Sequence, residues 1–518
     1  MKSKSWSQMA NAILLVLPLL VSALLGVTNV SADTTDSVNV TLHKRVFDEG
    51  QVPDSKTNTG EIDNNFGGTP LAGVTFTAYD VTDHYLNLRS SGDTAEKASQ
   101  EVQSDAADAA PSYATKVAEG VTAGADGTVT FSNLKSKDGD KDKVYLFVET
   151  NSPTNITKKA TPIVLAMPIY KSNSDSEINK NIHVYPKNEQ TDAITKSLSD
   201  KSKTALKVND GSNTYNATYG QTFDYQLQIA VPWNIADKDS FYVVDKPDLG
   251  INDDIDTVTV DGLTKGTDYT VVADKQNGKG NGFKINFVPT AENVKNNAGK
   301  KLKVTYNATL TKDAVPDTAL NNTATVKIGN DPESSATGSN IYTGGVKFVK
   351  QDKQSAVKLA GAKFQLVKMS GNQIIAYATQ SSQSSDNGKY SWNSSASSET
   401  TSFTSDNDGK FELKGLEYST KLADGQSYAL LETEAPAGYA LLKDPVKFTV
   451  SKDSYAGTAK VGTVSSEKVD PTITITNIKK GILPSTGGSG IYLFLIAGAL
   501  LMSGAYVWNK RNKKNQNI

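Results

Sequence analysis

Cysteine is absent from all 518 residues. No disulfide can brace this chain, and thiol nucleophiles, thiolate zinc sites and dithiol redox motifs are excluded. Histidine is almost as scarce. The three present, His43, His84 and His183, are too scattered for a zinc motif and suggest no Ser/His/Asp or Cys/His nucleophile set. Asp138, Asp140 and Asp142 are spaced like the start of a calcium loop, but the later glutamate is missing, and a solvated turn is the better reading. The glycines of Gly278-Lys279-Gly280-Asn281-Gly282 have no P-loop context. No metal and no cofactor is expected. Positive charge is not in excess: 54 lysines and arginines face 56 acids, a net charge of −2. A basic face for nucleic acid is therefore not expected. Long apolar runs are missing from the interior and occur only at the two ends.

At the start, Lys2 and Lys4 precede an apolar run from Ile13 to Val27, and Val30-Ser31-Ala32 follows. A basic start, a short apolar core and small residues at a cleavage point predict a signal peptide over residues 1–32. At the other end, Ile491 to Trp508 is nearly all apolar or small, and Lys510, Arg511, Lys513 and Lys514 follow it. That pattern predicts a transmembrane helix with a cytoplasmic basic tail. Leu483-Pro484-Ser485-Thr486-Gly487 stands just before it. The order resembles the sorting signal of sortase substrates, over residues 483–518. In that family a membrane transpeptidase cuts after the threonine and passes its acyl group to an amine. The resemblance implies cleavage between Thr486 and Gly487. Removing both end pieces would leave 48 cations against 56 acids, a net charge of −8, which suits a soluble, self-repelling surface.

Between the ends, short alternating runs such as Val38-Asn39-Val40-Thr41-Leu42 and Thr472-Ile473-Thr474-Ile475 are bounded by Gly, Asn, Asp and Pro. They predict an all-β chain of three tandem immunoglobulin-like sandwiches: an N-terminal domain (33–189), a middle domain (190–343) and a C-terminal domain (344–482). Residues 90–115 read as a short surface helix and residues 380–407 as an exposed loop. An internal repeat ties the first domain to the third. Leu71-Ala72-Gly73 matches Leu359-Ala360-Gly361, Asp126-Gly127 matches Asp408-Gly409, and Tyr145-Leu146-Phe147-Val148-Glu149 matches Tyr428-Ala429-Leu430-Leu431-Glu432.

Tyr428 to Tyr439 reads Y-A-L-L-E-T-E-A-P-A-G-Y. It resembles the E-box of Gram-positive backbone pilins, inside a collagen-adhesin B-type domain. In that family a first-strand lysine and a last-strand asparagine condense into an isopeptide bond beside a glutamate. The resemblance implies Lys350, Asn477 and Glu432 in those roles. The middle domain is similar to the pilin D2 domain, through Phe241-Tyr242-Val243-Val244-Asp245 and Asn322-Thr323-Ala324. It implies a Lys196–Asn322 bond assisted by Asp245, with Asn321 as the rival to Asn322. In the first domain Lys44, Asn188 and Glu149 are the counterparts. There Asn151-Ser152-Pro153 replaces the usual alanine–proline and the closing Gly-Tyr is absent, which leaves the role of Glu149 open. Desolvation explains why these residue types suit the reaction. It disfavours the ammonium and frees a nucleophilic amine, and it raises a carboxyl that can then shuttle protons as ammonia leaves.

Val184-Tyr185-Pro186-Lys187 resembles the pilin motif, whose lysine attacks the sortase thioester of another subunit. It implies a Lys187–Thr486 linkage between copies. The expected partners are sortase transpeptidases, other copies of the chain, minor pilins and peptidoglycan, with host matrix proteins or mucus as candidate ligands. The expected place is a pilus on a Gram-positive cell wall. The expected function is that of a backbone pilus subunit, and not of an enzyme beyond single-turnover self-crosslinking. The alternative is a monomeric wall-anchored adhesin, which would have no need of Lys187.

Overall fold

The computed structural model of the chain describes residues 37–54, 58–153, 155–208, 213–457, 469–481 and 490–514. The expected signal peptide and the motif Leu483–Gly487, with Thr486, lie outside them. The described sheets form three successive groups, each around its own apolar core.

In the N-terminal group, the first strand Ser37–His43 alternates half-buried and buried residues, as a strand with one face on a core must. It pairs in parallel with Asn181–Val184. The chain breaks at Lys44 and resumes as Arg45–Asp48, which pairs in parallel with Lys187–Gln190. First and last strands are thus neighbours twice over. Pro186 falls in the matching break of the last strand, where a ladder N–H is not required. Strand Val144–Asn151 is buried along nearly all its length. Tyr145 and Phe147 face the sandwich core, while Val144, Leu146 and Val148 face helices Thr82–Ser90 and Ala95–Asp105. The surface helix expected within 90–115 is thus Ala95–Asp105, capped by the Thr94 side chain. A second helix precedes it that the sequence reading did not anticipate.

The middle group is two sheets face to face. One has the spatial order Ile194–Leu198, Thr222–Ala230, Lys301–Leu310, Ile251–Val260. The other runs Tyr269–Lys275, Asn281–Phe287, Phe241–Pro247, Asn322–Ile328, Ser334–Thr337. The C-terminal group repeats the first design. Its first strand Gly344–Asp352 pairs in parallel with its last, Ile473–Asn477. Residues 380–407 are not simply a loop. They contribute strands Tyr390–Asn393 and Ser402–Thr404 to the second sheet, because Tyr390, Trp392 and Phe403 pack on the core although the segment is polar overall. Adjacent groups touch. Trp233 donates to the Ser152 hydroxyl at 2.7 Å, and the ring of Tyr219 lies under Gly415, where a Cβ would stand 2.1 Å from it.

Near the C-terminus, Gly490–Lys514 is a helix of 25 residues. Among the described residues no helix is long and apolar enough to cross a membrane. The expected span from Ile491 to Trp508 falls on this helix, whose side chains are described from Leu495 to Arg511.

Candidate isopeptide sites and the intersubunit lysine

Strand alternation carries each candidate lysine inward. Lys44 follows Val38, Val40 and Leu42 at steps of two, Lys350 follows Val346 and Phe348, and Lys196 lies between Ile194 and Leu198. The same period places Glu149 after Tyr145 and Phe147, Glu432 after Tyr428 and Leu430, and Asp245 after Phe241 and Val243. All three lysine side chains and their acids are wholly buried where they pair.

In the N-terminal site, Lys44 Nζ lies 2.7 Å from Glu149 Oε2 and also donates to Asn188 Oδ1. Asn188 Nδ2 donates to Glu149 Oε1 at 2.8 Å, and the Ala160 N–H fixes the carboxylate from behind at 3.0 Å. The C-terminal site repeats this closed triangle. Lys350 Nζ donates to Asn477 Oδ1 and lies 3.1 Å from Glu432 Oε1. Asn477 Nδ2 donates to both Glu432 oxygens at 2.9 and 3.0 Å, and the Leu442 N–H holds that carboxylate at 2.8 Å. One glutamate therefore touches both the amine and the amide. Burial drives both lysines below the usual amine range, against the pull of the glutamate. Phe76 and Phe364 line the two amines at 5.3 Å.

The internal repeat holds the lysine backbones. The Lys44 N–H donates to Gly127 O at 2.9 Å and its carbonyl accepts from Leu71 N at 3.1 Å. The Lys350 N–H donates to Gly409 O at 2.7 Å and its carbonyl accepts from Leu359 N at 3.0 Å. Gly127 and Gly409 have φ of +63° and +70°, and a Cβ on either would strike backbone at 2.6 or 2.3 Å. The Asp-Gly and Leu-Ala-Gly repeats of the sequence thus form one cradle used twice.

The middle site is built differently. Lys196 Nζ donates to Asp245 Oδ2 at 2.5 Å and to the Tyr306 hydroxyl at 2.6 Å. Asn322 Nδ2 donates to Asp253 Oδ1 at 3.0 Å and to Tyr306 at 3.2 Å. Asp245 belongs to the five-stranded sheet, while Lys196, Asp253 and Tyr306 belong to the four-stranded one. Burial lowers the Lys196 amine here too, opposed first by Asp245 and then by Asp253. Asn322 is fully buried. Its rival Asn321 uses its backbone N–H to bond Asp248.

Three family models match the chain. One described as Gram-positive pilin subunit D1, N-terminal domain, covers residues 35–189. A prealbumin-like fold domain covers 344–465, and the LPXTG cell wall anchor motif covers 475–517. This chain belongs to the Gram-positive pilins. It is a structural pilus subunit carrying a cell-wall anchor motif. The pilin is 25% identical to fimbrial subunit type 2 of Actinomyces naeslundii, over 90% of this chain and 87% of that one. It is 26% identical to fimbrial subunit type 1 of Actinomyces viscosus, over 93% and 91%. Its fold resembles the full-length pilus protein RrgB of Streptococcus pneumoniae, with a TM-score of 0.51 and 17% identity over 88% of this chain and all of that one.

The pilin-motif lysine directly precedes the buried Asn188. Lys187 is half-buried, and its amine donates to the carbonyls of Pro53 and Asp54 at 2.8 and 3.4 Å. Partial burial lowers this amine as well, with Asp54 opposing. Alternation turns Asn188 inward and leaves Lys187 toward the surface. Two residues of the middle site escaped the sequence reading, Asp253 and Tyr306. The signal was there. Asp253 shares a face with Ile251, and Tyr306 lies between Val304 and Ala308, so both belong to inward faces.

Proposed function

We propose that this pilin is the backbone subunit of a covalently polymerised fibre. Sortase would cut after Thr486, hold its acyl group as a thioester and pass it to Lys187 of the next copy. Inside each copy, bonds Lys44–Asn188, Lys196–Asn322 and Lys350–Asn477 would brace the three sandwiches, with Glu149, Asp245 and Glu432 assisting. The observation that carries the reading is the closed lysine–asparagine–glutamate triangle, which recurs in two domains with a desolvated amine against the amide. Bonds of this kind tie first strand to last, where pulling would otherwise peel the ends of a cysteine-free protein.

The test is a denaturing gel of boiled wall extract probed for the pilin. The wild type should give a high-mass ladder. Lys187→Ala should abolish it and leave anchored, folded monomer. Lys187→Arg should fail too, because a guanidinium stays protonated and cannot attack. A ladder that survives Lys187→Ala overturns the linkage. A single wild-type band near monomer mass indicates the wall-anchored adhesin instead.

A further inference from the structure

The middle site holds one carboxyl more than the outer two. Asp253, on strand Ile251–Val260, is 7% exposed. It bonds the Asn322 amide nitrogen, the atom that must depart as ammonia. Asp245 bonds the Lys196 amine. Neither aspartate has a hydrogen bond to the other reactant, whereas Glu149 and Glu432 each meet both. Asp245 Oδ1, Asp253 Oδ2 and Asn322 Oδ1 are all buried acceptors with no donor. Three donorless acceptors in one dry pocket are costly unless one of the acids carries a proton.

We propose that Asp253 is a catalytic acid of the Lys196–Asn322 crosslink: it carries the proton that the Asn322 nitrogen takes as it leaves, while Asp245 receives the proton of the attacking amine. This rests on the reading that the middle domain forms this bond. In the reaction the neutral Lys196 Nζ bonds to Cγ of Asn322, and the Cγ–Nδ2 bond breaks. One proton passes from Nζ to Asp245, and one passes from Asp253 to Nδ2, which departs as ammonia. The two aspartates hold one proton between them before and after. Tyr306, bonded to both nitrogens, keeps amine and amide in register. The environment suits this division. Burial first, and then the Asp245 charge, push Asp253 well above the usual carboxylate range, against the pull of Lys196. Asp253 and Asp245 interact directly, and two carboxyls in contact cannot both ionise cheaply in a dry site.

The experiment uses the full mature chain, digested and searched by mass spectrometry for the three crosslinked peptide pairs. The wild type should contain the Lys196–Asn322 pair. Asp253→Asn keeps an acceptor for the Asn322 amide but cannot give a proton. Its middle bond should form about a hundredfold or more slowly after refolding, while Lys44–Asn188 and Lys350–Asn477 form normally and report a folded chain. Asp253→Glu should recover part of the rate. An Asp253→Asn chain that closes its middle bond at the wild-type rate overturns the proposal and leaves the crosslink reading intact. A wild-type chain without the Lys196–Asn322 pair overturns that reading and this proposal with it. A second measurement does not depend on folding of the Asp253 variant. Asn322→Ala cannot crosslink yet keeps both aspartates, and its infrared spectrum at neutral pH should show a buried protonated carboxyl. Absence of that band overturns the assignment.

Discussion

The outer domains and the middle domain of this pilin arrange the same proposed reactants, a buried lysine and a buried asparagine, in two ways. In the C-terminal domain lysine and asparagine lie on neighbouring parallel strands, Gly344–Asp352 beside Ile473–Asn477, and in the N-terminal domain Lys44 sits in the break of a first strand whose two halves pair in parallel with the two halves of the last, Asn188 on the second. A single glutamate reaches both from the facing sheet. In the middle domain Lys196 and Asn322 stand on opposite sheets of the sandwich. There an aspartate, one methylene shorter, meets only the amine, and a second aspartate and a tyrosine complete the site. The difference teaches that the separation of the two reactants sets the acid. A long side chain serves two neighbours. Short ones must divide the work.

The largest effect expected is on stability. Asn477→Ala removes the acceptor, so the C-terminal domain should show the full mass of its own sequence, whereas the wild type should be one ammonia lighter than its sequence. The proposed Lys350–Asn477 tie would close a loop spanning 127 residues. By analogy with disulfides that closure is worth on the order of 4–5 kcal/mol. Thermal unfolding and trypsin resistance should fall accordingly, and an unchanged melt would break the view that these ties carry the stability of a cysteine-free chain.

A smaller effect sharpens the contrast in acid length. Glu432→Asp withdraws the carboxyl by about 1.5 Å, the length of one carbon–carbon bond, too far to meet both Lys350 and Asn477. Crosslinking of that domain should slow by about a hundredfold, read as the crosslinked peptide fraction over time after refolding. If the shortened acid works at full rate, reach is not what separates the outer sites from the middle one.

The smallest effect separates the two outer domains from each other. All three histidines of the chain lie in the N-terminal domain. There His43 Nε2 and His183 Nδ1 are 2.9 Å apart, on the strands flanking Lys44 and the pilin motif. Burial, then His183 and Arg45, lower His43, and burial lowers His183. The folded domain therefore binds protons less readily than the unfolded chain. Stability present above the ordinary value of 6.5 is lost as pH falls through the depressed ones. Melting followed from pH 7.5 down to about 5.5 should show the N-terminal domain softening in the wild type and less so in His43→Gln. An equal acid response in His43→Gln would remove the pair from the account.

Much of this was legible in the sequence because it is local. A period of two turns every other side chain inward, so Val38, Val40 and Leu42 already place Lys44 inside, and Ile475 places Asn477. The Asp-Gly repeats marked two turns that only glycine can make, and Val184-Tyr185-Pro186-Lys187 set an outward lysine beside an inward asparagine. What the sequence could not supply was which inward residues meet. Residues 380–407 looked like a loop because their composition is polar, and only packing of Tyr390, Trp392 and Phe403 on the core made strands of them. Asp253 sat in the run Asp253-Asp254-Ile255-Asp256, which reads as solvated charge. Alternation could have turned it inward, but not toward Asn322, which is 69 residues away. Side-chain direction follows from neighbours in the chain. Adjacency across a sandwich follows from how strands cross between sheets, and only the folded structure decides that.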